Sequence, residues 1–226
     1  LDSDIDVRPL MRMHEGQPLK WYHRHQGYYW VVLYGISYLA WVFYEDFYKY
    51  FTGQISPAVK QKKLSSKEHL IFWLTKLLYV GLYMIVPILF LGWLPWLIGF
   101  LILGFTCGLT ISIVFQLAHV VEGTQFHDIQ KGKSNHEWAV HQISSTSNFG
   151  TSNKMLSWLL GGLNFQVEHH LFPQISHVHY PAISVLVKST CKEYNIDYHQ
   201  YPSMSKAILS HLSHLHKMGQ PATSKE

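Results

Sequence analysis

Charged residues are scarce in this chain. Asp, Glu, Lys and Arg make up 14% of its 226 residues, well below the roughly 25% that is usual for soluble domains. Hydrophobic residues make up 48% and aromatic residues 15%. From Leu77 to Ala118 there is no charged residue at all. This concentration of apolar residues is typical of a membrane protein, and a buried helix pair in a soluble protein is the alternative.

Cysteine is also scarce, and several other signals are missing. The two cysteines are Cys107, inside the apolar run, and Cys191, in a polar region. Their different surroundings argue against a disulfide and agree with a cytoplasmic active face. The net charge of +4 comes from a modest excess of lysine next to the apolar segments, which suits anionic lipid headgroups or an acidic electron donor. No basic stripe with interleaved aromatics is present, so we expect no nucleic-acid partner.

The uncharged run divides at Trp93-Leu94-Pro95-Trp96, which we interpret as a short turn. Each half has about 20 residues, enough for a helix to cross a hydrocarbon core of roughly 30 Å. We therefore predict a transmembrane helical hairpin over residues 69–118. The two Trp of its turn would lie at the membrane interface, and Lys76 would extend its ammonium group to the interface at the end of the first span.

The distribution of lysine predicts the orientation of this hairpin. The turn has no charge, and six lysines precede the first span: Lys49, Lys60, Lys62, Lys63, Lys67 and Lys76. Basic residues flanking membrane helices are enriched on the cytoplasmic side. Both ends of the hairpin should therefore face the cytoplasm, and so should His119, which ends the second span.

The rest of the chain divides around the hairpin. Residues 1–68 are expected to form a cytoplasmic or interfacial segment. It contains an apolar, aromatic stretch at 28–44, which we interpret as interfacial or re-entrant because a complete crossing would separate residues 1–27 from the lysine-rich loop. Residues 119–219 should form a cytoplasmic cap, and residues 220–226 a loose tail.

Two helices of the cap are predicted from their end signals. Pro181 suits the first turn of a helix that runs towards Lys192. Residues 203–218 predict another helix, closed by Gly219 and followed by Pro221. Three histidines on this last helix, His211, His214 and His216, are interpreted as a polar face and not as a metal site.

The strongest candidate for chemistry is the segment Gly161-Gly162-Leu163-Asn164-Phe165-Gln166-Val167-Glu168-His169-His170-Leu171-Phe172-Pro173. In a helix over residues 163–170, Gln166, His169 and His170 stand at i, i+3 and i+4 and share one face. Imidazole is a suitable ligand for iron, copper, nickel and zinc. The pattern indicates a metal-binding face, with an ordinary polar helix face as the alternative.

Gln-x-x-His-His followed by Leu-Phe-Pro closely resembles the third histidine box of the membrane fatty-acid desaturases. The Gln in the first place of the box is typical of the front-end, linoleoyl-CoA desaturase-like branch. Four further segments are similar to the family in order and spacing: Phe115-Gln116-Leu117-Ala118-His119-Val120-Val121-Glu122, Glu137-Trp138-Ala139-Val140-His141-Gln142-Ile143, Ser147-Asn148-Phe149 and His177-Val178-His179-Tyr180-Pro181.

This resemblance implies an all-α integral membrane protein: a transmembrane helical hairpin with a cytoplasmic helical cap that carries a histidine-rich di-iron site. The family builds its site from three histidine boxes, and the first two would precede Leu1. Residues 1–6 look like the sequence after the second box, and the chain begins with Leu instead of Met. We therefore expect the C-terminal part of a longer protein.

The resemblance also assigns roles to single residues. His119, His169 and His170 are expected to bind iron, and Gln166 is expected to be a weak ligand or a partner to a metal-bound water. Three imidazoles and one amide are too few for two irons without further donors. Glu122 and His177 are candidates for residues that orient a ligand. Two amides, Gln142 and Asn164, could also orient a ligand by hydrogen bonds, although a structural role is favoured for both.

The resemblance implies a fatty-acyl desaturase that uses O2 and two iron ions to introduce a cis double bond. Its acyl substrate would be linked to CoA, a carrier protein or a lipid. Electrons would come from a separate donor such as ferredoxin or a b-type cytochrome. A fatty-acyl or lipid hydroxylase on the same scaffold is one alternative, and a non-catalytic membrane protein is another.

Overall fold

The computed structural model describes residues 9–56, 59–60, 63–124 and 138–221. Three expectations therefore lie wholly or partly outside the described residues: the similarity of residues 1–6, the first residue of the segment at 137–143, and residues 222–226 of the tail. The chain divides into two compact units. One comprises Leu1–Trp30 and Ile113–Glu226, and the other comprises Val31–Ser112.

The described residues are mostly helical, as predicted. The α-helices are α1 Gln26–Ala40, α2 Asp46–Thr52, α3 Ser66–Val80, α4 Val86–Leu91, α5 Trp93–His119, α6 Trp138–Ser144, α7 Lys154–Leu159, α8 Gln166–Leu171, α9 Tyr180–Glu193 and α10 Met204–Met218. Short 3-10 helices lie at Trp21–His25 and His177–His179, and π-helical turns lie at Trp41–Glu45 and Gly81–Ile85. Two small sheets pair β1 Gln54–Ser56 with β2 Val59–Lys60 in antiparallel fashion, and β3 Asn148–Phe149 with β4 Gln200–Tyr201 in parallel.

Two helical runs are long and apolar enough to cross a membrane, Ser66–Leu91 and Trp93–His119. They are joined at Gly92, whose φ of 83° is readily accessible to glycine. The turn predicted at residues 93–96 is therefore wrong in position. Pro95 lies in the first turn of α5, where a missing N–H breaks no helical hydrogen bond.

The predicted interfacial stretch at 28–44 lies within one continuous helical run over residues 26–52. Its small residues allow close packing against α5. A methyl group on Gly108 would collide with the carbonyl oxygen of Gly35. Ser37 and Ser112 share a 2.8 Å hydrogen bond between their hydroxyl groups. Gly108 and Ser112 stand at i and i+4 on α5, and small residues at this spacing that let two backbones approach are typical of helix pairs in membranes. The depth of the run over residues 26–52 in a bilayer stays a prediction.

Lys76 forms an ion pair inside this unit, and its position relative to a membrane interface stays a prediction. It lies well inside the run Ser66–Leu91, and its Nζ contacts Asp46 Oδ2 at 2.5 Å and the carbonyl oxygen of Val42 at 3.3 Å. The ammonium group also lies 5.3 Å from the centre of the Phe47 ring. Its charge is therefore balanced within this unit, which explains how a lysine is accommodated in an apolar helix.

Two hydrophobic clusters lie in the described part of the other unit. The first packs the end of α5 against β3 and α10 through Val114, Leu117, Val121, Phe149 and Ala207. The second joins α6, α8 and α9 through Ile143, Val167, Val187 and Cys191. The helices predicted from Pro181 and from residues 203–218 are both confirmed as α9 and α10. The Ser203 hydroxyl caps α10 by accepting a hydrogen bond from the amide of Lys206.

Two histidines of α10 are buried, so the interpretation of this helix as a polar histidine face is wrong for them. His211 donates from Nδ1 to the carbonyl oxygen of Val120 at 2.6 Å, next to the end of α5. His214 Nε2 bonds the carbonyl oxygen of Met13 at 2.7 Å. Both imidazoles therefore connect α10 to backbone groups that lie far away in the sequence. The residues next to the two histidines do not predict such long-range contacts.

The close approach at Gly108 gives a stability prediction. Gly108→Ala should lower the thermal midpoint of unfolding in detergent, because the new methyl group has no room and overpacking costs about 1–3 kcal/mol. Gly99→Ala is the matched control on the same helix, since no atom lies within 4 Å of a methyl group there. Equal midpoints for the two variants would contradict the packing.

Burial lowers the pKa of His211 from 6.5 to about 4; the bond to Val120 opposes this effect and nearby His214 adds to it. Between these pH values the unfolded chain binds a proton that the folded chain does not. Stability should therefore fall as the pH drops from about 6.5 to about 4, by up to ~1.4 kcal/mol per pH unit from this group. Burial also lowers the pKa of His214, which acts in the same direction.

Thermal midpoints of the wild type and His211→Gln, measured between about pH 7 and about pH 5, test this sign. The variant retains a donor for Val120 but does not titrate, so its midpoint should fall less steeply with pH. Parallel curves for the two proteins would contradict the prediction. His216→Gln, on the exposed side of the same helix, is the control.

Candidate metal centre

The structure brings the three predicted histidine ligands together. His119 is the last residue of α5, and His169 and His170 lie on α8. The ring centres of His119 and His170 are 4.9 Å apart, and those of His169 and His170 are 5.8 Å apart. Residues separated by 50 positions in the sequence thus form one cluster of imidazoles.

Each of these imidazoles is hydrogen-bonded through Nδ1. The partners are the carbonyl oxygen of Ser145 for His119 (3.4 Å), the hydroxyl of Tyr180 for His169 (3.3 Å) and Oε1 of Gln142 for His170 (3.0 Å). A bond at Nδ1 fixes the orientation of the ring, and where Nδ1 donates, the lone pair of the neutral ring is on Nε2. The rings are therefore held in the way that protein metal ligands usually are.

The two amides considered as orienting groups differ. Gln142 accepts the hydrogen bond of His170 and so contacts a candidate ligand directly, although a structural role was favoured for it. Asn164 is buried and donates from Nδ2 to the hydroxyl of Ser157 at 3.0 Å. Its backbone carbonyl oxygen accepts a hydrogen bond from the backbone amide of Phe149 at 3.1 Å. Asn164 therefore stabilises the chain that leads into α8.

Gln166 is the first residue of α8 and is buried one turn before the histidine pair. It stands at i relative to His169 at i+3 and His170 at i+4, as the spacing predicts. Among the described residues, no three His, Cys, Asp or Glu side chains are arranged so that they could hold a metal ion. The cluster thus has suitable donors, but it does not form a complete metal site by itself.

Glu122 and His177 have other contacts. Glu122 Oε1 accepts a 2.8 Å hydrogen bond from Ser213 on α10, and its backbone amide donates to Ser210. His177 is exposed and its Cβ lies against Gly162, where an added methyl group would be 2.6 Å away. These contacts connect Glu122 to α10 and His177 to the turn before α8.

A buried polar cluster next to the histidine pair was not predicted from the sequence. The Glu168 carboxylate is fully buried and accepts hydrogen bonds from Asn148 Nδ2 (2.7 Å) and the Tyr198 hydroxyl (2.9 Å). Asn148 Oδ1 accepts from the backbone amide of Val167 at 2.9 Å. Asn148 therefore binds both the first turn of α8 and a side chain of the same helix.

Burial raises the pKa of Glu168, and the hydrogen bonds from Asn148 and Tyr198 partly oppose this effect. Burial, followed by the nearby Glu168 carboxylate, raises the pKa of Tyr198, so this phenol stays protonated as a donor. Glu168 could have been identified from the sequence, because it directly precedes the histidine pair. Nothing in the sequence points to Tyr198, because this residue comes from the loop before β4.

Two glycines set the entry into α8. Gly161 and Gly162 have φ values of 56° and 77°, in the left-handed region. Gly162 is also in close contact with the Cβ of His177, so a larger residue would be both strained and crowded. This turn ends α7 and directs the chain into the helix that carries His169 and His170.

The fold and site together define a helical protein with two membrane-length helices and a histidine cluster at the end of one of them. The family model for fatty acid desaturases matches residues 1–202. The chain belongs to the fatty acid desaturase family, which confirms the resemblance seen in its sequence. Members of this family generally depend on two irons.

Named relatives agree with the front-end branch. The chain is 38% identical to the acyl-lipid (8-3)-desaturase of Physcomitrium patens over 96% of its own length and 46% of the relative. It is 33% identical to the sn-1 linoleoyl-lipid 6-desaturase of Arthrospira platensis, over 96% of the chain and 59% of the relative. It is 43% identical to the enzyme of the same name from Synechocystis sp., over 55% of the chain and 35% of the relative.

The chain spans about half the length of the curated relatives it matches. No solved structure matches it significantly. The membership of the family is therefore established from sequence, and the arrangement of its residues comes from the structure described above.

The buried cluster gives a prediction with a matched control. Tyr198→Phe removes one donor to the buried carboxylate and should destabilise the protein by about 1–3 kcal/mol. Tyr194→Phe makes the same chemical change at an exposed side chain and should be close to neutral. Thermal midpoints compare the two variants, and a Tyr198→Phe protein as stable as the control would contradict the role of the cluster.

Proposed function

We propose that this chain is part of a fatty-acyl desaturase that introduces a cis double bond into an acyl chain, with O2 as the oxidant. One observation carries the proposal: His119, His169 and His170 form a single cluster in which every Nδ1 is bonded to the protein. Family membership supports the same reaction. The named relatives act, by their names, on acyl lipids or linoleoyl lipids.

We assign the metal ligands accordingly. His119, His169 and His170 would bind iron through Nε2, and Gln166 would be a weak ligand or a partner to a metal-bound water. Nitrogen donors of this kind suit iron. Three imidazoles and one amide do not fill two coordination shells, so the complete site requires further donors.

When bound, the two irons would activate O2, the oxidant needed to remove hydrogen from an unactivated methylene group. The residues of this chain hold and orient the proposed ligands. Ser145, Gln142 and Tyr180 fix the imidazole rings, while the buried contacts of Asn148 fix α8. These contacts would hold the irons in a fixed position.

The proposed setting is an integral membrane protein with the site on the cytoplasmic face. The two membrane-length helices support the first part, and the lysines before the hairpin support the second. The acyl tail would lie next to the apolar helices, and its CoA, carrier-protein or lipid group would face the cap. A separate protein, such as ferredoxin or a b-type cytochrome, would deliver electrons.

The ligand assignment predicts the effect of removing one imidazole. In the protein encoded by the complete gene, His169→Ala or His170→Ala should abolish the unsaturated product and lower the iron content, because a donor to the metals is lost. His179→Ala is the control, since this histidine is exposed and lies outside the cluster. Lipid analysis by mass spectrometry and iron determination on membranes measure the two effects.

The outcomes separate the competing functions. Normal product from either variant would overturn the ligand assignment. A hydroxylated acyl product from the wild type would identify a hydroxylase, and a wild type without iron would identify a non-catalytic membrane protein.

A further inference from the structure

Helix α7 has an exposed apolar face with no acidic residue near it in the sequence. Met155, Trp158 and Leu159 are 70%, 78% and 61% exposed and stand at i, i+3 and i+4, so they share one side of the helix. From residue 138 to residue 167 the chain has no Asp or Glu, and Lys154 is its one Lys or Arg. An apolar face with a single cation suits an anionic lipid surface better than water.

The opposite side of α7 packs against the hydrophobic cluster to which the end of α5 contributes. Leu156 and Leu160 pack against this cluster, which contains Val114 and Leu117 of α5. Asn153 caps α7 by accepting a hydrogen bond from the amide of Leu156 at 3.0 Å. The helix therefore shares one hydrophobic cluster with the last turns of α5, and its apolar face is directed outwards.

The length of α5 gives the depth of that contact. The helix has 27 residues, about 40 Å at 1.5 Å per residue, whereas a hydrocarbon core is about 30 Å thick. If Trp93 marks one interface, about 20 residues reach the other, near Ile113. The turns of α5 that share the cluster with α7 would then be those that leave the hydrocarbon, at the level where Trp is enriched.

We propose that α7 is an interfacial anchor whose face of Met155, Trp158 and Leu159 inserts into the lipid headgroup region of the membrane that α5 spans. The turn from Leu160 to Phe165 joins it to α8. The anchor would thus hold His169 and His170 at a fixed height above the membrane surface. This inference rests on the proposed membrane span of α5.

Nitroxide labels test the proposal without requiring enzymatic activity. Leu159→Cys is labelled in a Cys107→Ala background, with the buried Cys191 retained, and the full-length protein is placed in vesicles of phosphatidylcholine and phosphatidylglycerol. Leu186→Cys on α9 is the matched control, because Leu186 is similarly exposed at 67% and lies beside Lys188. Ile102→Cys on α5 reports the membrane span itself.

Power-saturation spectroscopy then compares access to O2, which enters lipid, with access to a water-soluble nickel complex. The ratio of O2 to nickel access at residue 159 should be several-fold higher than at 186 and lower than at 102. A ratio at 159 equal to that at 186 would overturn the anchor, and so would weak access to both reagents, since that result means that protein covers the face. A lipid signal missing at 102 would overturn the membrane span as well.

Discussion

The side chain of Asn148 connects the parts of the protein on which the histidine cluster depends. Its Oδ1 accepts from the first turn of α8, and its Nδ2 donates to Glu168 and to Tyr198. The backbone amide of the same residue bonds to His199 at the start of β4. A buried carboxylate without a donor costs more than an ordinary lost hydrogen bond, so this network is stable only when it is complete. The orientation of α8 follows from that requirement.

The imidazole cluster is consequently a tertiary feature and not a property of one helix. The bonds that orient its rings come from Gln142 on α6, from Ser145 just after it, and from Tyr180 at the start of α9. Helices α6 and α9 pack on α8 through one hydrophobic cluster. Changes in that cluster would therefore rotate the rings without touching a histidine.

The features that the sequence could predict are the local ones. Helical periodicity placed Gln166, His169 and His170 on one face, and end signals identified α9 and α10, because both depend on residues within a few positions. The misplaced turn at residues 93–96 is a local error, whereas two further contacts involve partners far along the chain. Lys76 pairs with Asp46, 30 residues away, and His211 bonds Val120, 91 residues away. A single sequence contains no local record of such contacts, so the ion pair of Lys76 and the burial of His211 were not predicted.

The two acidic residues nearest to the histidine cluster in the sequence, Glu168 and Glu122, are held by other side chains. This carboxylate precedes His169 directly, yet both of its oxygens accept hydrogen bonds from Asn148 and Tyr198. Glu122, three residues after His119, accepts from Ser213 instead. Both carboxylates are thus held by other side chains, and the ligands proposed for the metals are three imidazoles and an amide. Imidazole and amide ligands bring no negative charge to a bound cation, so the charge of the proposed irons would be balanced by other groups. The proposed ligands and the buried network are thus two parts of one arrangement, since the hydrogen bonds that fix α8 also occupy the Glu168 carboxylate.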